Sequence, residues 1–232
     1  MTINKQIIVT IILLIGSIVL FAITKIDLYV QDNFFNFDTH KWILDSHLQP
    51  YKFLFYDGIK KLLIVIAVTV LLSLIFFRNK KIIKQYKKGL IIVVLSAILV
   101  PVIVGSIKKS TNMPCPKNEI HYGGKMIRTA VWESYEEPYK SMGKIACWPA
   151  GHASGGFALL SLIFLFKSKK IKILSVLVAL SVGWSMGLYK MFIGDHFLSH
   201  TVITMFLAYL IVLSVAKFVY MFDKKSLRGS LL

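Results

Sequence analysis

The sequence predicts an all-α membrane protein of six transmembrane helices, organised as one domain over residues 1–232. Three observations predict it. The 232 residues are 56% hydrophobic, with a mean hydropathy of +0.68, above the apolar share of an ordinary soluble domain. The apolar residues gather in runs of membrane-crossing length. The Lys and Arg residues behind the formal net charge of +17 concentrate in short joins between those runs.

The runs are about Ile7–Thr24, Leu62–Phe77, Leu90–Ile107, Ala153–Phe166, Ile171–Leu188 and Thr201–Tyr220. A helix rises about 1.5 Å per residue and the hydrocarbon core is about 30 Å thick, so a span needs about 20 residues. The second and fourth runs are short and must borrow flanking residues; the second is expected to begin in the amphipathic stretch before it. Only Lys5 charges the chain ahead of the first run. No small-x-small cleavage site follows in "FAITKIDLYV", so this run is expected to remain as an uncleaved span.

Charge predicts the orientation. "RNKKIIKQYKKG" joins runs two and three, "KSKKIK" joins runs four and five, and Lys224, Lys225 and Arg228 follow the last run. Short basic joins stay in the cytoplasm, which puts both termini inside and segments 25–60, 108–152 and 189–200 outside. The basic clusters flank spans and no nucleic-acid motif accompanies them. Anionic lipid headgroups, and not nucleic acid, are therefore the expected partners. No obligate protein partner is evident.

The outward segments hold the chemistry-bearing residues, so an extracytoplasmic active site is expected. Both cysteines, Cys115 and Cys147, lie in 108–152. A disulfide there closes a loop of roughly 33 residues and contributes about 3–4 kcal/mol; two thiols buried against apolar neighbours are the alternative. In "CWPAGHASGG", Pro149 suits a helix start. Amides at Ala150 and Gly151 then favour an anion, and His152 can donate a proton. In "YKMFIGDHFLSHT", Lys190 offers positive charge. If Asp195–Thr201 forms the first turn of the last helix, His196 and His200 fall on one face, where one ring can orient the other. A zinc site using these histidines with His121 is the competing reading, but no HExxH or HxxEH spacing supports it. The mixed aromatic and polar stretch 29–58 suggests an interfacial helix.

These stretches resemble the type 2 phosphatidic acid phosphatase superfamily, membrane-bound relatives of the vanadium haloperoxidases. The family's motifs are K-x6-R-P, P-S-G-H and S-R-x5-H-x3-D. Here they read Lys108 with Cys115-Pro116, then Pro149-Ala150-Gly151-His152, then Lys190 with His196 and His200. The phrases "PAGHASGG" and "GDHFLSH" look like the bacterial branch that acts on lipid A and other lipid phosphates. The sequence departs from the pattern at Cys115, Ala150, Tyr189, Lys190 and His200. Lysine for arginine keeps charge but loses the bidentate fork, and Arg128 is the candidate to replace the cation lost at Cys115.

The resemblance implies a metal-independent, cofactor-free hydrolase of the bacterial inner membrane, with its site facing the periplasm. His196 would attack phosphorus, His152 would act as acid and then base, and His200 would orient His196. Lys108, Lys190 and the amides near Gly151 would bind phosphate. The implied substrates are lipid A, phosphatidylglycerol phosphate or undecaprenyl diphosphate. A lipid-to-lipid phosphotransferase and a non-catalytic lipid-binding relative are the alternatives.

Overall fold

The computed structural model describes residues 1–46 and 48–229, with side chains to residue 222. The tail cations Lys224, Lys225 and Arg228 thus fall outside the described side chains. Helices α1 (Ile3–Ile23), α2 (Ile26–Asp32), α3 (Gln49–Lys52), α4 (Gly58–Phe76), α5 (Lys81–Ser110), α6 (Gly151–Ala158), α7 (Lys169–Phe192) and α8 (Leu198–Gly229) follow in chain order. A hairpin of β1 (Phe35–Asn36) and β2 (Lys41–Trp42) sits between α2 and α3.

Five helical runs are long and apolar enough to cross a membrane: α1, Gln49–Phe76, α5, α7 and Leu198–Phe222 of α8. The fourth predicted span is different. It is a short apolar helix, Gly151–Phe164, whose second half, Leu159–Phe164, is a 3-10 helix. The tighter turn gains rise per residue, yet the whole reaches only about 24 Å. It tolerates this shortness because it lies inside protein: Ala153, Gly156 and Phe157 are buried. Helices α5, α7 and α8 surround it.

The core lies along α6. Ile92, Val100 and Val104 of α5 meet Phe157 of α6, Ala179 of α7, and Ala208, Val212 and Ala216 of α8. Small residues bring α6 and α7 together: a Cβ on Gly183 would strike the Phe157 ring. By contrast α1 buries only Thr10 and α4 buries nothing. Two helices so apolar and so exposed would form an aggregating surface in water; their length and apolarity suit a bilayer.

The predicted interfacial helix over 29–58 does not form. Turn chemistry breaks it: the Asn36 side chain accepts the Thr39 N–H at 2.8 Å, and His40 adopts φ 51. Pro50 starts a new helix, which continues through a π-turn at Phe53–Asp57 into α4. The second span therefore begins well before residue 62, inside the amphipathic stretch.

Candidate active site

The ends of α5, α6, α7 and α8 converge at one end of the bundle. Lys108 stands in the last turn of α5 and Lys190 in the last turn of α7. His152 is the second residue of α6, and His200 lies in the first turn of α8. A tight turn carries His196 between α7 and α8. The N–H groups of Asp195 and His196 both donate to the Lys190 carbonyl, at 2.8 and 3.3 Å. Gly194 supplies the left-handed φ of 73 that this turn needs.

The three histidines form a chain. His152 Nδ1 lies 3.1 Å from His196 Nε2, and His196 Nδ1 lies 3.3 Å from His200 Nδ1. His196 is 1% exposed and His200 0%. Burial holds the His196 imidazole well below the ordinary histidine range, and nearby His200, His152, Lys108 and Lys190 add to that effect. His196 is therefore neutral at pH 7. If its Nδ1–H donates to His200 Nδ1, the Nε2 lone pair is left directed at His152. The ring nitrogens face one another in sequence and do not converge on a point. Among the described residues no group of three His, Cys, Asp or Glu side chains forms a metal-ligand set. His121 lies apart, 2.8 Å from Asp32.

Cations surround this chain, and they are held in place. Lys190 Nζ bonds Asp195 Oδ2 at 2.8 Å and lies 4.9 Å from the Tyr56 ring centre. Lys117 bonds Asp195 Oδ1 at 2.7 Å. Burial alone would push the Asp195 carboxyl up; hydrogen bonds from Lys117 and Lys190 outweigh it and hold the pKa below the usual range. The Tyr56 ring stands edge-on to His152 at 5.1 Å. A cavity of about 470 Å³ opens from His152, with Tyr56 and Lys60 beside it. Its remaining wall is mostly apolar, including Leu63, Ile64, Pro101 and Val102.

Two expectations need correction. The Ala150 and Gly151 amides are not available to a ligand: Ala150 N–H donates to the His200 carbonyl at 3.2 Å and Gly151 N–H to the Pro149 carbonyl at 2.9 Å. A carbonyl of α8 satisfies the first donor and the turn into α6 satisfies the second. Gly151 instead lines the cavity, and a Cβ there would meet Lys108 Cδ at 3.6 Å. Arg128 does not join the lysines. It bonds Asp27 at 3.0 Å, lies 4.7 Å from the Phe197 ring centre, and lines a separate cavity of about 210 Å³.

Asp27 was invisible to sequence reasoning. It is 1% exposed and accepts both the Ser199 N–H at 2.8 Å and the Ser199 hydroxyl at 2.6 Å. A carboxylate from α2 thus caps the start of α8, between His196 in the preceding turn and His200 in its first turn. No local pattern signals a partner 172 residues away. Cys115 and Cys147 are joined in a disulfide, Cα atoms 5.3 Å apart. Beside it, Cys147 N–H donates to Met113 and the Thr111 hydroxyl to the Trp148 carbonyl at 2.6 Å. The segment after Lys108 is thereby tied to the segment before His152.

A family model described as the PAP2 superfamily matches residues 89–224, more than half of the chain. The chain belongs to the PAP2 superfamily. No curated protein and no solved structure matches it. The PAP2 match covers the histidines, Lys108, Lys190 and both cysteines, while Asp27, Tyr56 and Lys60 come from outside it. Members of the PAP2 superfamily generally act as phosphatases, and membership supports phosphatase activity on phosphate esters here.

Proposed function

We propose that this PAP2 protein is an integral-membrane lipid phosphatase that works through a phosphohistidine. The observation that carries the lipid reading is the cavity of about 470 Å³. One end meets His152 beside Lys60, and the rest is lined largely by apolar side chains of α4, α5 and α6. A phosphate among the cations and an apolar tail in the cavity satisfy both surfaces at once. A soluble phosphate ester would leave the apolar wall wet.

In the first step the His196 Nε2 lone pair forms a bond to phosphorus as the bond from phosphorus to the lipid oxygen breaks. Substrate replaces the contact between His152 and His196. His152 gives a proton to the departing oxygen, then takes one from the water that cleaves the P–N bond. Lys108 and Lys190 balance charge on the phosphoryl oxygens. His200 accepts from His196 Nδ1 and steadies the imidazolium that develops. Being neutral, it does so more weakly than a carboxylate would.

The lysine-rich joins at the opposite end of the bundle favour a cytoplasmic placement for that end. The histidines then face the periplasm or cell exterior, and a lipid headgroup of the outer leaflet is within their reach. The test is phosphate release by the purified protein from a panel of lipid A, phosphatidylglycerol phosphate, undecaprenyl diphosphate and a water-soluble phosphomonoester. Lipid substrates should turn over faster than the soluble ester, with a lipid A-type phosphate foremost on the motif resemblance. Release that persists in His196→Ala would overturn the nucleophile assignment.

A further inference from the structure

A third and larger cavity, about 1030 Å³, lies at the other end of the bundle. It is framed by the start of α5, the end of the 3-10 segment Leu159–Phe164, the start of α7 and α8 near Phe218. Lys84 and Lys108 are separated along α5 by roughly 36 Å, so this cavity is distinct from the histidine site. Five lysines line it, Lys84, Lys87, Lys88, Lys167 and Lys172, and among the described residues none of the lining is acidic.

Lys84 has Lys87 at i+3, on the same face of α5, where like charges repel. Lys167 from the opposite wall lies 5.7 Å from the Tyr86 ring centre, which sets another ammonium over the same space. Between the cationic walls the lining is aromatic and aliphatic: Phe164 meets Tyr220 at 6.4 Å, with Phe218 and Leu95 alongside. The wall itself is closely built, since a Cβ on Gly89 would run into the backbone of Phe164 and Leu165. Repelling ammonium groups above an apolar floor match a ligand with an anionic head and hydrocarbon tails.

We propose that this cavity binds one anionic phospholipid of the surrounding leaflet, phosphate among the lysines and acyl chains against the aromatic floor. Charge complementarity commits it to a lipid. A free anion would leave the floor uncovered, and a zwitterionic lipid brings its own cation to the lysines. The inference does not depend on the reaction proposed for the histidines.

The experiment uses the full chain purified in a neutral detergent, with dioleoyl phosphatidylglycerol, dioleoyl phosphatidylcholine or inorganic phosphate added. Thermal unfolding and native mass spectrometry are the readouts. Phosphatidylglycerol is expected as a single retained adduct. It should raise Tm by about 5 °C at a hundredfold excess over its Kd, with no comparable shift from the other two. The quadruple variant Lys84→Gln, Lys87→Gln, Lys167→Gln, Lys172→Gln should lose adduct and shift. Lys80→Gln, Lys81→Gln, Lys169→Gln, Lys170→Gln removes the same charge from the same end outside the cavity and should keep both. Lys172→Glu alone, a milder change, should cut the shift by more than half. His196→Ala should leave it intact. Equal shifts from phosphatidylcholine, full reproduction by phosphate, equal loss in both quadruple variants, or loss in His196→Ala would each overturn the proposal.

Discussion

The two ends of α5 both carry lysines and use them differently. At the histidine end, Lys190 and Lys117 share the Asp195 carboxylate, and Lys190 rests by the Tyr56 ring. At the basic end, the described lining of the large cavity holds lysines and no carboxylate. Fixed ammonium groups cost little further ordering when charge develops nearby, which is what a chemical step requires. Ammonium groups that merely repel one another recognise charge and tolerate loose geometry, which suits binding. The contrast lies in the Asp195 carboxylate shared at the histidine end, since the residue type is the same.

The largest way to break this contrast is at the nucleophile. His196→Ala should lower phosphate release by at least about 10⁴-fold, while the quadruple glutamine variant at the basic end should stay within about twofold in kcat. Next comes a single cation at each end. Lys190→Ala should reduce kcat/KM by about 10²- to 10³-fold, and Lys172→Ala should leave it nearly unchanged. Comparable losses at both ends, in the same steady-state assay, would dissolve the distinction.

What the sequence showed of this site follows from distance along the chain. His152, His196, His200, Lys108 and Lys190 were all legible because each sits in a short stretch whose spacing survives folding. The engagement of the Ala150 and Gly151 amides is not legible, since the acceptor for Ala150 N–H is the His200 carbonyl, remote in sequence, and that for Gly151 depends on the turn taken at Pro149. Asp27 and Tyr56 left no trace, as their partners are remote in sequence. The fold behaved likewise. Apolar length revealed the five helical runs long enough to cross a membrane, but hydropathy does not show how short and how enclosed the fourth run is. Only packing shows Gly151–Phe164 buried among α5, α7 and α8.

A covalent tie further separates the ends. The Cys115–Cys147 disulfide joins the segments leading from Lys108 and to His152. Cys147→Ser, or reduction of the intact protein, should cost about 2–4 kcal/mol of stability and lower turnover along with it. Unchanged activity under both treatments would show that non-covalent contacts such as Thr111 to Trp148 suffice. A smaller loss is expected at the cap of α8. Asp27→Asn keeps one acceptor for Ser199 but weakens the ion pair with Arg128. We expect kcat to fall about tenfold with KM little changed, because the histidines lose alignment while the lipid cavity is untouched. Ser199→Ala should be non-additive with it, and additive effects would mean that the two act separately.

The subtlest test concerns pH at the histidine end. Glu119 is 2% exposed, and burial raises its pKa from 4.5 to about 7, opposed by Arg128 and assisted by Asp27. The folded state therefore keeps a proton that the unfolded chain releases between pH 4.5 and about 7. Stability attributable to this group is intact below pH 4.5 and is lost as pH rises through that window. The bound is about 3 kcal/mol. Glu119→Gln carries no such proton, so its Tm should exceed that of the native chain at pH 8 by a few degrees and match it near pH 5. Arg128 keeps Asp27 as its partner in that variant, which limits any opposing loss. A Tm difference that stays constant from pH 5 to pH 8 would show that Glu119 is ionised in the folded protein, with Arg128 shared between two carboxylates.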